Sequence, residues 1–201
     1  MPTTRTPRLA NFYAGPSTLP TEVLEQLEDT IVDYRGRGLS MIETSHRSGM
    51  YEEVHEAAEA LLREMLGIPA DYHVLFLGGG ATLQFSMVPL NLMPEGGSCD
   101  FVISGSWAKK AVADAKKLGS VNAVYDGADS GYIALPDAVS TSDGASYLHI
   151  TSNETINGVQ WPEFPEVSDV PLVADMSSDI ASRLLDVERF GLFYAGAQKN
   201  L

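Results

Sequence analysis

Two residues in this chain are placed where their side chains could carry out chemistry, each at the end of a short apolar run. Lys199 stands in Ala195-Gly196-Ala197-Gln198-Lys199-Asn200, among small neighbours. A lysine set there is a poor surface lysine and a candidate reactive amine, activated by desolvation or nearby positive charge. Asp175 closes the run Val173-Ala174-Asp175 and precedes Met176-Ser177-Ser178. A carboxylate in that position is costly to bury alone, so it either caps a following helix or faces a cation. Other features recur at comparable positions. Gly78-Gly79-Gly80 leads into Ala81-Thr82-Leu83-Gln84, Trp107 follows an apolar run ending near Ser104, and Asn153-Glu154-Thr155 follows another ending at Thr151. Read singly, the glycines are a tight turn, the tryptophan a core residue and the Asn-Glu-Thr a polar turn. The glycine turn is neither a P-loop nor G-x-G-x-x-G, because no Gly-Lys-Ser/Thr follows and position 83 is Leu.

The elements that must position these residues are legible from periodicity. Residues 18–34 read as a helix, with Pro20 near the start, Leu24, Leu27 and Ile31 at helical spacing, and Gly36 and Gly38 breaking it. Residues 50–66 read as a second amphipathic helix, with Val54, Ala57, Ala58, Leu61 and Met65 on one side, stopped by Gly67 and Pro69. From residue 73 short strands and helices alternate. Strands are expected at 73–77, 101–104, 121–125, 147–151, 171–174 and 192–195. Helices are expected from about 82 and over 106–118, the latter with Ala108, Ala111, Val112 and Ala115 inward and Gly119 as its cap. Such alternation implies crossover units and a mainly parallel sheet, and in such sheets ligands sit at the carboxyl ends of strands. The chain contains neither an internal repeat nor a low-complexity tract.

Composition narrows the function classes. The 201 residues carry 13 Lys and Arg against 27 Asp and Glu, a formal net charge of -14. Nucleic acid and acidic lipid both need a positive surface, so neither is an expected partner. An anionic ligand must be held by a local pocket that reverses the global sign. The single cysteine, Cys99, excludes an intramolecular disulfide and a thiolate zinc cluster. No metal is expected. Residues 1–10 lack the apolar stretch of a secretory signal, and no segment approaches the roughly 18 apolar residues of a membrane span. A cytoplasmic protein is the expectation.

Together the strand-end residues make a list of parts for one cofactor. Pyridoxal phosphate needs an anion cup, an aromatic face, a carboxylate opposite its ring nitrogen and a lysine for its aldehyde. The combination is far more specific than any member.

The same segments carry a family likeness. Asn11-Phe12-Tyr13-Ala14-Gly15-Pro16, Ser45-His46-Arg47, the glycine turn through Phe85, Asn153-Glu154-Thr155, Val173-Ala174-Asp175-Met176-Ser177-Ser178 and Tyr194-Ala195-Gly196-Ala197-Gln198-Lys199-Asn200 occur in the order seen in the phosphoserine aminotransferase family, which the chain resembles over nearly its whole length. The resemblance implies a fold-type I, class V, aspartate-aminotransferase-like α/β/α architecture with a mainly parallel sheet. It implies that Lys199 is the Schiff-base lysine and proton shuttle, that Asp175 pairs with the pyridinium nitrogen and that Trp107 stacks on the ring. Ala81, Thr82 and Gln198 would hold the cofactor phosphate, and Thr155 the phenolic oxygen. Arg47 would bind substrate carboxylate and His46 substrate phosphate, across a homodimer interface. The implied reaction transfers the amino group of L-glutamate to 3-phosphohydroxypyruvate, giving O-phospho-L-serine and 2-oxoglutarate in serine biosynthesis, with vitamin B6 synthesis as a second role in some relatives.

Two departures accompany the likeness. Some members have Arg in the glycine turn where this chain has Ala81-Thr82. Members also continue well past the lysine, so residues 1–70 are read as an N-terminal segment serving the substrate site and dimer interface. Residues 71–201 are read as an incomplete cofactor-binding large domain without its small C-terminal domain. The alternatives are another fold-type I transaminase or a desulfurase-like relative, and a truncated chain inactive by itself.

Overall fold

The computed structural model describes residues 6–201, so residues 1–5 of the N-terminal stretch lie outside the described residues. The contacts divide the chain into two units, the first ending at Met65 and the second running from Leu66 to Leu201.

The first unit is helical. Helix α1, Thr21–Val32, starts after Pro20, whose fixed φ suits a helix entrance. Its apolar residues Leu24, Leu27 and Ile31 are 38–50% exposed, so none of them is buried. Two short 3-10 turns, Tyr34–Gly36 and Met41–Glu43, follow, and Ser40 caps the second by accepting from the Ile42 N–H. Helix α2 then runs over Gly49–Leu66, and its last residue belongs to the second unit.

The second unit is an α/β layer structure. Its elements in chain order are helix α3 (Gly80–Leu92), strand β1 (Ser98–Ile103), helix α4 (Ser106–Ala115), strand β2 (Ser120–Asp126) and strand β3 (Ala145–Thr151). A small hairpin of β4 (Asn153–Glu154) and β5 (Val159–Gln160) follows, then strand β6 (Leu172–Asp175), strand β7 (Leu192–Tyr194) and the short helix α5 (Ala197–Asn200). The five-stranded sheet has the order β2-β1-β3-β6-β7, and every pairing in it is parallel. The central strands β3 and β6 are buried almost throughout because both faces are covered, as parallel sheets require. Phe85 and Val88 of α3, and Ala108, Ala111, Val112 and Ala115 of α4, pack with Phe101, Tyr147, Val173 and Tyr194 in one core. The small residues on α4 let it approach the sheet closely. Cys99 is fully buried with a free thiol, and Asp100 beside it is satisfied by Asn122 Nδ2 at 2.9 Å and the Ser142 N–H.

One expected strand is not formed. Residues 73–77 belong to no strand among the described residues, and Leu75, Phe76 and Leu77 are 48–71% exposed. A run of apolar residues expresses a tendency, while a strand exists only where a neighbouring strand takes up its N–H and C=O groups. Among the described residues no strand pairs with this segment. Helix α3 also begins earlier than expected, at Gly80, because Gly79 and Gly80 adopt φ of 95° and 67° and turn the chain directly into it.

The strand order places a topological switch between β1 and β3. From β1 the chain moves outward to β2, and from β3 it moves the other way to β6 and β7. Such a point opens a crevice at the carboxyl ends of the two strands.

Candidate active site

The crevice is a cavity walled by the ends of these elements. Gly80, Ala81 and Thr82 contribute the first turn of α3, Trp107 the first turn of α4, and Thr151, Asn153 and Thr155 the end of β3 and the hairpin. Asp175 ends β6 and Ser177 and Ser178 follow it, while Gly196, Gln198 and Lys199 follow β7. Seven residues singled out from sequence, namely Ala81, Thr82, Trp107, Thr155, Asp175, Gln198 and Lys199, therefore share one cavity. His46 and Arg47 lie in the first unit, in the turn ahead of α2, and both are exposed.

Asp175 is 5% exposed at the end of β6. Burial pushes its carboxyl up from the ordinary value, Ser177 hydrogen bonds and the Lys199 charge pull it down, and Asp179 pushes it up again. The Ser177 N–H donates to Asp175 Oδ1 at 2.9 Å, a local turn that does not cap a helix. Lys199 is half-buried, and its Nζ lies 5.3 Å from the Trp107 ring centroid. The cavity thus gathers an amine, a carboxylate and an aromatic face. At its other end Ala81 and Thr82 offer main-chain N–H groups of the first turn of a 13-residue helix, where the dipole favours an anion.

Glu154 was legible only as part of a polar turn, yet it organises the site. Its side chain is fully buried and accepts from the main-chain N–H groups of Trp107 and Ala108, both at 2.8 Å. It caps α4 from a distant element, and Asn157 Oδ1 completes the cap by accepting from the Ser106 N–H at 3.0 Å. Burial raises the Glu154 carboxyl and these two N–H donors oppose that rise. Gly105 makes room for the arrangement, since a Cβ there would meet the Glu154 carboxyl carbon at 2.6 Å. The cost of burying an unpartnered carboxylate, used for Asp175, would have singled out Glu154 had its burial been legible in the sequence.

The loops behind the cavity are stitched together as well. Asn153 Nδ2 donates to Ser178 Oγ at 2.8 Å, and Ser178 Oγ donates to the Asn153 carbonyl at 3.0 Å. The Gly196 N–H donates to Ser177 Oγ at 3.1 Å, and Asn200 Nδ2 to the Ile180 carbonyl at 2.6 Å. Ser152 Oγ contacts both the Asp175 carbonyl and the Asp179 carboxylate. The segments bearing Thr155, Asp175 and Lys199 are therefore fixed to one another by side chains that themselves have no reactive role.

With this geometry in view, comparison with known proteins is direct. The aminotransferase class-V family matches residues 9–201. A phosphoserine aminotransferase of Halalkalibacterium halodurans is 51% identical over 196 residues, covering 96% of this chain and 54% of the relative. The solved phosphoserine aminotransferase of Bacillus circulans subsp. alkalophilus superposes with a TM-score of 0.92 at 50% identity, over 95% of this chain and 54% of that one. A pyridoxal-phosphate-bound phosphoserine aminotransferase of Trichomonas vaginalis superposes with a TM-score of 0.88 at 37% identity, over 96% and 55%. The chain spans about half the length of the curated relatives it matches. Over the length it does span, fold and sequence agree, and the chain belongs to the aminotransferase class-V family.

Proposed function

We propose that the full-length protein carrying this chain is a phosphoserine aminotransferase. It uses pyridoxal 5'-phosphate to move the amino group of L-glutamate onto 3-phosphohydroxypyruvate, giving O-phospho-L-serine and 2-oxoglutarate in serine biosynthesis. The observation that carries the reading is the meeting of the Lys199 amine, the Asp175 carboxylate and the Trp107 ring in one cavity. About 50% identity to phosphoserine aminotransferases supports the choice of substrates.

The residues present fit the cofactor. Among the described residues the buried Thr155 Oγ1 and Trp107 Nε1 have no hydrogen-bond partner, and both residues line the cavity, so Thr155 has a hydroxyl suited to a phenolic oxygen. When bound, pyridoxal phosphate supplies an aldehyde that captures amino groups and a protonated ring that draws electrons from the substrate carbon. The work of this chain is to hold and to move protons. Asp175 would keep the proton on the ring nitrogen, and Trp107 would cover one face and exclude water there. Ala81, Thr82 and Gln198 would hold the phosphate. Lys199 would hold the aldehyde and move the proton to and from the substrate α-carbon.

His46 and Arg47 are assigned to substrate phosphate and carboxylate, which makes residues 1–70 a substrate-binding and homodimer-forming segment and residues 71–201 the cofactor-binding part. A chain of net charge -14 needs such concentrated cations to receive anionic substrates. The same charge argues against nucleic-acid and acidic-membrane partners. The proposed location is cytoplasmic; among the described residues no helix is long and apolar enough to cross a membrane.

The test is spectroscopic. Full-length protein mixed with pyridoxal phosphate gains the absorption band of a lysine-linked cofactor, and the band is lost in Lys199→Ala. Glutamate then converts the cofactor to its aminated form, and phosphoserine does so far more readily than serine. Absence of the band in the parent protein, or equal reaction with serine, would overturn the reading.

A further inference from the structure

Helix α4 is capped from a distance, and what the cap holds is the tryptophan of the cavity. The N–H groups of the second and third residues of a helix are ordinarily served by the residue just ahead of it, most often Ser, Thr, Asp or Asn. Ahead of α4 that residue is Gly105, which has no side chain to offer. Its second and third residues, Trp107 and Ala108, are served by Glu154 on strand β4, 47 positions along the chain from Trp107. The Glu154 side chain is fully buried and its two oxygens divide the work: Oε2 accepts from the Trp107 N–H and Oε1 from the Ala108 N–H, each at 2.8 Å.

Two acceptors are needed at once, and a carboxylate provides them, whereas an amide would present an NH₂ to one of the two N–H groups. The positive end of the helix dipole favours a negative charge in that place. Gly105 leaves room for it, since a Cβ there would come within 2.6 Å of the Glu154 carboxyl carbon and 2.7 Å of its Cγ. A local Ser or Asp would satisfy the same N–H groups without burying a remote charge. What the remote carboxylate adds is a fixed relation between Trp107 and the hairpin. Thr155, the residue after Glu154, lines the same cavity as Trp107. The hairpin is itself held, with Glu154 paired to Val159 and the Gly158 N–H donating to the Glu154 carbonyl at 2.7 Å. On α4, Lys110 Nζ lies 4.1 Å from the Trp107 ring centroid, so the ring is held to its own helix and follows the main chain there.

We propose that Glu154 is a positioning residue for Trp107: its buried carboxylate fixes where the indole stands in the cavity relative to the hairpin that bears Thr155. This deepens the reading above and rests on it, because the surface that Trp107 covers is that of the cofactor assigned there.

The test uses full-length protein loaded with pyridoxal phosphate. It follows the rate of cofactor release and the visible circular dichroism of the cofactor band, which reports how the ring sits against its neighbours. Glu154→Gln is expected to release the cofactor about tenfold faster, the scale of one lost hydrogen bond to a charged group, and to alter the dichroism of what stays bound. Val112→Ala truncates the buried face of the same helix, so it is expected to lower stability while leaving both readouts at the parent's values. In a Trp107→Leu background, adding Glu154→Gln is expected to speed release little further, because the residue through which it acts is gone. Gly105→Ala crowds the carboxylate without removing it and is expected to move both readouts as Glu154→Gln does; it carries the test where Glu154→Gln does not fold. Parent-like release and dichroism in these two variants overturn the proposal. So do equal changes in Val112→Ala, or an undiminished effect of Glu154→Gln in Trp107→Leu. Each of those results leaves the cofactor assignment intact. A parent protein that gives no cofactor band overturns the assignment of function and this inference with it.

Discussion

Asp175 and Lys199 are set about a common cavity by strands that are neighbours in the sheet, and their separate chemistries depend on that placement. Asp175 is held by the Ser177 N–H and a nearby cation while burial opposes its charge. Asn at this position keeps the shape and an acceptor oxygen but removes the charge. Asp175→Asn is therefore expected to lower kcat/KM by roughly 10²–10³-fold, the scale of a lost electrostatic contact in a closed site, while binding glutamate with little change. Steady-state kinetics of the full-length protein check it. Both residues were legible in the sequence because each breaks an apolar run with a charge.

At the scale of elements, α4 depends on a cap supplied from more than forty positions away. Its N-terminal N–H groups are satisfied by Glu154 and Asn157, so helix and hairpin stabilise each other. Glu154→Gln leaves one of the two N–H groups facing an amide NH₂, and is expected to destabilise by about 1–3 kcal/mol. A lower urea midpoint with an unchanged slope would show it. Gly105→Ala pushes a methyl into the same carboxylate and is expected to cost a similar amount, about 1–3 kcal/mol. The two losses are expected not to add, because both act through one contact. The strands at the centre of the sheet were readable from their apolar runs, as was the inward face of α4 from Ala108, Ala111, Val112 and Ala115. The segment 73–77 was misread because an apolar run cannot say whether a partner strand is at hand. The cap from Glu154 was out of reach because its donors are remote in sequence.

For the molecule as a whole, buried titratable groups make stability depend on pH in opposing ways. His149 has its ordinary value of 6.5 when unfolded and about 3 when folded. Between these values the unfolded chain binds the extra proton, so stability is full above about 6.5 and falls as pH drops toward 3. Each pH unit in that window removes up to ~1.4 kcal/mol. Asp175 and Glu154 are raised by burial, so the folded chain holds their protons longer and stability falls instead as pH rises through their window. Denaturant unfolding of the parent and His149→Gln across this range isolates the histidine: the stability difference between them is expected to shift against the parent as the solution is acidified, and a constant difference would refute it. The stitching of the strand-end loops has a further consequence. Because Ser178 ties the hairpin to β6 and Ser177 ties β6 to the Lys199 segment, the shape of the cavity is settled when the chain folds. A cofactor arriving there meets walls that have already given up their conformational freedom, so little of its binding free energy is diverted to ordering the protein.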